Sequence, residues 1–408
     1  MLFSKLCYYE AKMIRRQDGF TIVELIVTMA IFVMAIAAIS AVFVPLLNQF
    51  KQQSKIAETN IEGMVGLDIL RRDIEQAGFG LPWVLQPGLT TLSYSEASGS
   101  TTAPIPAPNK YNDGSPTLNP PRAILSENEA FPDLSDYLVI KSSAVGINDA
   151  SGKYADVIGT AGGGNAVKAW GNLADDLKAG DRTVVLDLTE GNDQHILVND
   201  GSAYTAVFPI VPAPPAPIVF PDAYSPGTEG KLFLIYGITN DTTLASLRMP
   251  FNRADYYIRR VAGTTIPPRC AKGTTSATNT GVLMKSVIEQ KTGDRGNGIP
   301  LLDCVADFQV AFDLDTNNDG IVDPPATEDI SGLNAQETRQ RVKAVRVYIL
   351  AHEGQKDMNF TYANNSICVG EGAGCAPGHI YDLTAIADYT NYRWRVYTLV
   401  VQTKNLRN

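Results

Sequence analysis

The chain has 408 residues, of which 45% are hydrophobic and 19% charged, and its formal net charge is −9. This length and composition suffice for a sizeable buried core in one or two units. The acidic balance argues against general nucleic-acid binding, which requires a basic surface.

An apolar run near the N-terminus is the strongest feature of the sequence. From Phe20 to Leu47 the only ionisable side chain is Glu24. About 20 helical residues span the hydrocarbon core of a bilayer, so this run is long enough to cross a membrane. A carboxylate there costs on the order of 2.5–3.5 kcal/mol and by default marks a functional site. We therefore predict a transmembrane helix at about 20–47, in which Glu24 needs a partner.

Basic residues precede this run, as they do in a secretory signal peptide. The run is too long for a signal peptide, however, carries an acid near its start and is not followed by a small-residue cleavage site. Residues 19–25, GFTIVEL, instead closely resemble the processing site of type IV prepilins and type II secretion pseudopilins. An ordinary signal anchor with a chance glutamate is the alternative.

The resemblance implies that a prepilin peptidase cleaves between Gly19 and Phe20, that Phe20 is then N-methylated, and that Glu24 serves assembly. The leader would comprise residues 1–19, which is long for these families. A start at Met13 would give MIRRQDG, a compact basic leader of the usual kind.

The basic residues before the apolar run predict its orientation. Lys12, Arg15 and Arg16 hold the N-terminal side in the cytoplasm by the positive-inside rule, so everything after Leu47 lies outside. A carboxylate in lipid is penalised unless a cation of a neighbouring subunit neutralises it. Head-to-tail contacts of this kind build a helical filament. The helix is thus predicted to anchor the subunit in the inner membrane, with its head in the periplasm, and then to form the core of an extracellular pilus.

A helical pattern continues past the predicted membrane span. Apolar residues recur at three- and four-residue spacing between Met64 and Ile74, which indicates an amphipathic helix with one face for a core. The string GFGLP at 78–82 supplies glycines and then a proline, which end a helix. We therefore predict one helix over 20–78.

Two segments resemble PilW-type minor pilins. Residues 69–79, ILRRDIEQAGF, look like the end of that family's helix, and residues 392–408 are similar to its last strand. The resemblance implies a minor pilin of the type IV pilus with a tip or assembly-initiation role. Its partners would be other pilins, major and minor, the prepilin peptidase, the inner-membrane assembly platform and a candidate tip adhesin. A minor pseudopilin of a type II secretion system is the alternative within the superfamily.

Beyond residue 79 the sequence changes to short β-prone runs divided by glycine, proline and asparagine. We predict a β-rich extracytoplasmic head over 79–408 and an α+β, pilin-like fold in which the long helix packs on a mostly antiparallel sheet. The predicted strands are 137–141, 183–188, 231–238, 256–261, 305–314, 342–351 and 394–403. Proline-rich stretches near 98–122 and 208–226 are predicted to be insertions or spacers, because proline lacks the donor that a ladder needs.

Four cysteines follow the predicted leader: Cys270, Cys304, Cys368 and Cys375. An even number in an oxidising compartment predicts two disulfides, with three possible connectivities. The pairing nearest in sequence joins 270 with 304 and 368 with 375. A metal cluster would call for C-x-x-C spacing or nearby histidines, and His379 is the only candidate.

Residues 313–323, DLDTNNDGIVD, predict a calcium loop, because oxygen-bearing side chains alternate before a glycine that permits a sharp turn. The predicted ligands are Asp313, Asp315, Asn317, Asp319, Asp323 and the carbonyl of Ile321. The glutamate that closes an EF-hand is missing, because Ala326 stands there, so Asp313 or Glu328 would have to compensate. The alternative is a solvated hairpin turn, which Asp-Gly also favours.

Little in the sequence indicates catalysis. His195, His352 and His379 lack the spacing of a zinc-protease motif, and we find no nucleophile elbow or P-loop. The protein is therefore predicted not to be an enzyme. A membrane-anchored extracytoplasmic hydrolase is the alternative from a different functional class.

Overall fold

The computed structural model describes most of the chain. The described residues are 19–85, 93–99, 105–114, 119–131, 134–160, 165–168, 170–172, 174–189, 194–209, 220–260, 267–275, 279–372 and 374–406. The predicted leader, including Met13, lies outside these residues except for Gly19. By internal contacts the chain divides into two compact units, Met1–Ser54 and Lys55–Asn408.

The described residues form two α-helices, α1 (Ile22–Glu75) and α2 (Ala335–Arg341). The strands are β1 (Val84–Leu85), β2 (Ile124–Glu127), β3 (Tyr137–Ser142), β4 (Tyr154–Gly159), β5 (Asn165–Lys168), β6 (Arg182–Thr189), β7 (Gln194–Leu197), β8 (Ala206–Val207), β9 (Leu232–Thr239), β10 (Asn252–Arg259), β11 (Gly281–Val287), β12 (Ile299–Leu314), β13 (Val342–Glu353), β14 (Ser366–Gly370), β15 (Gly378–Asp382) and β16 (Arg393–Gln402).

The first unit contains the apolar part of α1. An 18-residue window of this helix has a mean hydropathy of 2.7, and none of that window is buried within the structure. By length and composition α1 is therefore able to cross a membrane.

The second unit contains two seven-stranded sheets and a separate two-stranded hairpin. The first sheet has the order β1-β7-β6-β9-β4-β5, with β8 also paired to β6, and the second has the order β16-β13-β12-β11-β10-β3-β2. The hairpin is β14-β15. Among the described strand pairs only β1 and β7 run parallel. The predicted fold, a long N-terminal helix with mostly antiparallel sheets, is confirmed.

The largest core of the second unit lies against the inner face of the second sheet. Leu70 and Ile74 of α1 are fully buried there and share one cluster with Phe308 of β12 and Val347 of β13. Val184 and other inward-facing residues of the first sheet belong to the same cluster. Leu67, Leu70 and Ile74 of the predicted apolar stripe thus face the core, whereas Met64, at its start, is 65% exposed.

Six strands of the first sheet, β4 to β9, are inserted between two neighbouring strands of the second. Ser142, at the end of β3, is the register partner of Asn252, at the start of β10. Between these positions the chain forms β4 to β9. The chain therefore leaves the second sheet and returns to it at one place.

The outer face of the second sheet is covered by two segments. The β14-β15 hairpin covers one part, where Val369 and Tyr381 pack with Tyr348. The described part of 105–131 covers the other, where the Tyr111 ring stacks on Tyr137 at a centroid distance of 4.2 Å. The first proline-rich stretch, interpreted from the sequence as a spacer, is therefore in its described part a packed cover. Most of the second, 210–219, lies outside the described residues.

All seven predicted strands fall on observed ones, namely β3, β6, β9, β10, β12, β13 and β16. The other nine described strands, which have two to seven residues each, were not predicted: β1, β2, β4, β5, β7, β8, β11, β14 and β15. It also missed α2, although Asn334 and Glu337 form a capping box at its start. The N-x-x-E spacing of these residues is a readable signal for a helix start.

Candidate functional sites

The predicted processing site lies at the start of α1. Gly19, Phe20 and Thr21 precede the helix, and Phe20 is 83% exposed. A Cβ built on Gly19 would meet no atom within 4 Å. The peptide bond between Gly19 and Phe20 thus precedes the helix and joins two exposed residues.

Glu24 closes a reciprocal cap on the first turn of α1. Its carboxylate accepts hydrogen bonds from the backbone N–H of Thr21 at 3.0 Å and from the Thr21 hydroxyl at 2.9 Å. In return the backbone N–H of Glu24 donates to Thr21 Oγ1 at 3.2 Å. This is a capping box, T-x-x-E, which satisfies helix-start donors. Sequence reasoning missed Thr21, although the spacing is readable from residues 21–24.

The acidic loop follows β12 and is ordered by its own side chains. Asp315 is buried and accepts hydrogen bonds from the backbone N–H groups of Asp319 at 3.0 Å and Gly320 at 2.9 Å. Gly320 has a φ of +88°, which a residue with a side chain rarely adopts. Lys343 Nζ lies 3.2 Å from Asp315 and supplies a positive charge. The loop therefore turns around the Asp315 carboxylate.

Both residues that would replace the missing EF-hand glutamate are engaged elsewhere. Asp313 forms an ion pair with Arg346 at 2.9 Å. Glu328 accepts hydrogen bonds from the backbone N–H of Gly378 and from the Asn128 side chain. Neither carboxylate is therefore free to close the loop in this structure.

The remaining predicted ligands lie on the loop itself. Asp323 accepts hydrogen bonds from the backbone N–H of Thr316 at 2.9 Å and from its hydroxyl at 2.6 Å. Asp319 accepts from the backbone N–H of Ile321 at 2.8 Å and from the Asn317 side-chain amide at 3.0 Å. The oxygens of Asp319 and Asp323 therefore accept hydrogen bonds from within the loop in this structure.

The predicted disulfides are confirmed, with the pairing nearest in sequence. Cys270 bonds to Cys304, with a Cα–Cα distance of 4.8 Å, and Cys368 bonds to Cys375, at 5.5 Å. The second disulfide closes the β14-β15 hairpin. Cys270, Cys304 and His352 are also the one group of three potential metal-ligating side chains that converge within 4.8 Å among the described residues. Because both sulfurs are bonded to each other, this group is not a metal site.

The histidines have separate structural partners. His352 accepts a hydrogen bond at Nε2 from the backbone N–H of Ala271 at 2.9 Å. Burial, with Arg269 nearby, lowers the pKa of His352 to about 3, so it is neutral. His195 stacks on the Trp83 ring at a centroid distance of 4.1 Å.

His379, unlike the other two histidines, lies beside a carboxylate. Its Nδ1 lies 3.6 Å from the buried carboxylate of Asp307. In the described structure the three histidines therefore sit on different partners instead of sharing one site.

Two family descriptions match the sequence. Residues 255–408 match Type IV Pilus-assembly protein W, and residues 14–40 match the prokaryotic N-terminal methylation motif. Among solved structures, a type IV-like pilin from Thermus thermophilus is similar at 12% identity, with a TM-score of 0.21, over 57% of this chain and 90% of that one. No curated protein matches the chain.

The two family matches lie at opposite ends of the chain and agree with each other. The methylation motif covers Gly19, Phe20 and Glu24 and the start of α1. The PilW match begins within β10, at residue 255, and extends past the C-terminal strand β16. It therefore covers most of the second sheet and the β14-β15 hairpin. A pilus-assembly family does not favour the pseudopilin alternative. The chain is therefore a minor pilin of the type IV pilus that is similar to the PilW family over residues 255–408.

Proposed function

We propose that this minor pilin is a low-copy subunit that initiates assembly and stays at the pilus tip. The observation that carries the proposal is the inserted part of the first sheet. Its strands β4 to β9 lie wholly before residue 255, outside the part that matches the PilW family. The second unit thus adds strands β4 to β9 to the region that matches the family, which suits presentation of a surface more than repetition along a shaft.

The size of the head supports the same position. A compact domain of about 330 residues has a radius of gyration of roughly 20 Å and a breadth near 50 Å. Pilin helices in a filament core pack about 8–10 Å apart. Heads of that breadth at every lattice position would crowd one another, whereas a tip has open solvent on one side.

The N-terminal segment would bring the subunit into the filament in three steps, namely cleavage, methylation and docking. A prepilin peptidase would remove residues 1–19 and expose Phe20 for methylation, while basic residues keep this end in the cytoplasm and the head in the periplasm. Glu24 would then dock with a cation of a neighbouring pilin. The assembly platform, other pilins and a tip adhesin are the partners that this route implies.

Quantitative mass spectrometry of sheared pili tests the proposal. The chain should occur far below the main pilin in copy number, start at methylated Phe20, and carry gold label at filament ends. Uniform label along the shaft at similar stoichiometry would make it a major subunit. A Gly19→Leu variant should stay unprocessed in the inner membrane, whereas Gly332→Leu, at an open position in the head, should be processed normally.

We infer a structural role for the head and not a catalytic one, because the matched family is one of pilus assembly. The rival function, an extracytoplasmic hydrolase, predicts turnover of an ester, peptide or glycan panel by the purified protein. Turnover that persists in a variant with Gly19, Phe20 and Glu24 replaced would support the hydrolase function.

We also propose that the acidic loop binds calcium, through Asp315, Asn317, Asp319, Asp323 and the Ile321 carbonyl. The turn at Gly320 and the two N–H donors on Asp315 support this proposal, because they fix the first ligand residue at the start of a tight loop. The ion pair of Asp313 with Arg346 speaks against Asp313 as a ligand. Calcium would supply the charge that now comes to Asp315 from Lys343 alone.

A further inference from the structure

A cluster of charged side chains is buried on the outer face of the second sheet, beneath the segment that covers it. Its members, three acids and three bases, are Glu96, Asp113, Asp255, Lys141, Arg122 and Arg253. The side chains of Lys141 and Glu96 have no exposed surface, and that of Asp113 is 5% exposed. Buried charges are costly, and neither pilus assembly nor calcium binding uses these residues.

Lys141 is held against two carboxylates at once. Its Nζ lies 2.6 Å from Asp113 Oδ2 and 2.7 Å from Glu96 Oε2, and 5.4 Å from the centroid of the Phe251 ring. Fixing an amine beside a carboxyl group, out of water, supplies the proximity that bond formation needs. Glu96 is positioned as a base, because it touches the same nitrogen.

The carbonyl group of Asp113 is also polarised by fixed donors. The backbone N–H of Arg122 donates to Oδ2 at 2.9 Å, and its guanidinium Nε donates to Oδ1 at 2.6 Å. Donors aimed at the carboxyl oxygens would stabilise the negative charge that develops there when a nucleophile attacks the carbon.

The pairing of β3 with β10 makes the charge of Lys141 unfavourable. Lys141 lies directly opposite Arg253, and like charges facing each other across two strands destabilise a sheet. Glu96 Oε2 serves both, at 2.7 Å from Lys141 and 3.2 Å from Arg253. Removing the charges of Lys141 and Asp113 together would relieve this repulsion and leave equal numbers of acids and bases.

We propose that Lys141 and Asp113 condense to an intramolecular amide, with Glu96 as the catalytic acid-base residue. Glu96 takes a proton from the Lys141 ammonium and passes it to Asp113. The neutral amine attacks the Asp113 Cγ, and Glu96 moves a second proton from nitrogen to the departing oxygen. The C–O bond breaks, water leaves, and Glu96 ends ionised, so the step requires no oxidant or co-reactant.

The amide would join two structural elements of the head whose linked residues lie 28 positions apart in sequence. Lys141 belongs to β3 of the second sheet, whereas Asp113 belongs to the cover that contains the first proline-rich stretch. A covalent tie at this point would keep the cover on the sheet when the subunit is pulled, without needing the ion pairs to hold.

Intact-mass measurement of the full chain tests the proposal. Protein extracted from membranes or sheared pili is reduced and denatured, and its N-terminal peptide defines the processed form. We expect a mass lower, by one water molecule, than the sequence of that form gives. A chain at full mass would overturn the proposal, whatever any variant does.

Tryptic peptides locate the bond. The linked product joins 111–122, through Asp113, to 123–153, through Lys141, with trypsin blocked at Lys141. It has the mass of the linear peptide 111–153 but two amino termini, Tyr111 and Ala123, so Edman degradation releases two residues at each cycle. A single sequence starting at Tyr111 from all such material would contradict the linkage.

Three variants separate the chemistry from the fold. Glu96→Gln keeps the shape but cannot accept a proton, so it should retain the full mass. Lys141→Arg keeps the charge without the nucleophilic amine and should do the same. Asp113→Asn should still link with loss of ammonia and reach the same final mass as the linked wild type. Full linkage in Glu96→Gln would remove Glu96 from the mechanism.

Discussion

Gly66 of α1 and Leu301 of β12 approach each other backbone to backbone. A Cβ built on Gly66 would lie 1.7 Å from the carbonyl oxygen of Leu301, a distance that no side chain can tolerate. Gly63, one turn earlier, would place a Cβ 3.0 Å from the Leu302 side chain. The two glycines let the helix lie close against β12, which brings Leu70 into the core.

Replacing Gly66 by alanine should therefore push α1 away from the second sheet. Overpacking of this kind costs about 1–3 kcal/mol, and more when the obstacle is backbone. We expect a lower melting temperature of the detergent-solubilised protein and faster proteolysis of the head. The matched control is Gly332→Ala, where a Cβ would meet nothing within 4 Å. Equal melting temperatures for both variants and the wild type would show that the close approach is not required.

A Glu24→Leu variant should insert into the membrane as well as the wild type, or better, and be lost from pili. The reason is that leucine removes both the cost in lipid and the partner for a neighbouring subunit. Thr21→Val provides the control, because it removes the cap, worth about 0.5–2 kcal/mol, but leaves the carboxylate. Immunoblots of membranes and sheared pili measure both. Wild-type levels of Glu24→Leu in pili would show that the carboxylate is incidental.

Calcium should raise the melting temperature of the protein by mass action if the acidic loop binds it. A chelator should lower that temperature, and Asp319→Ala should abolish the response. Asp222→Ala, an exposed aspartate elsewhere in the head, should leave the response unchanged. Melting curves that coincide with calcium and with chelator would leave only the hairpin-turn interpretation.

Acid should destabilise the head through His352. Its folded pKa, about 3, lies below the ordinary value of 6.5, so below that value the unfolded chain takes up a proton that the folded chain refuses. The free energy of unfolding is therefore unaffected by His352 above pH 6.5. It falls between pH 6.5 and pH 3, by up to about 1.4 kcal/mol per pH unit. His352→Gln should flatten this slope.

Unfolding at neutral pH and near pH 4.5 checks this prediction. The cost of the His352→Gln substitution itself is the same at both values and cancels in the comparison. An equally steep loss in the variant would place the acid sensitivity on other groups.

Local signals in the sequence sufficed for much of this fold. The helix follows from apolar spacing, the seven long strands from β-prone runs, and each disulfide from nearest-neighbour pairing. Long-range pairing was not readable. Lys141 stands at the end of a predicted strand, and a lysine is almost never fully buried. Its burial depends on Glu96, which lies in a different segment, and no local pattern links the two.

The processing site shows the opposite case. Gly19 and Glu24 were identified from a short motif, and the T-x-x-E spacing of residues 21–24 also predicts the cap that Thr21 forms. The acidic loop was predicted as a calcium site, which stays a prediction. Its ion pairs with Arg346 and Lys343 were not predictable, because they depend on β13, which joins the loop only in the folded sheet.

The adjacency of Ser142 and Asn252 bears on how such subunits diversify. Because the chain departs and returns at paired positions, the stretch between them can lengthen, shorten or change sequence without altering the path of β3 or β10. The inward side of this stretch must stay apolar, because it shares a core with α1. The hydrophobic cluster around Phe220 and Phe233, on its outward side, is separate from that core. Related subunits can therefore differ in this inserted stretch, and so in the surface of the head, while the second sheet and the assembly helix α1 stay the same.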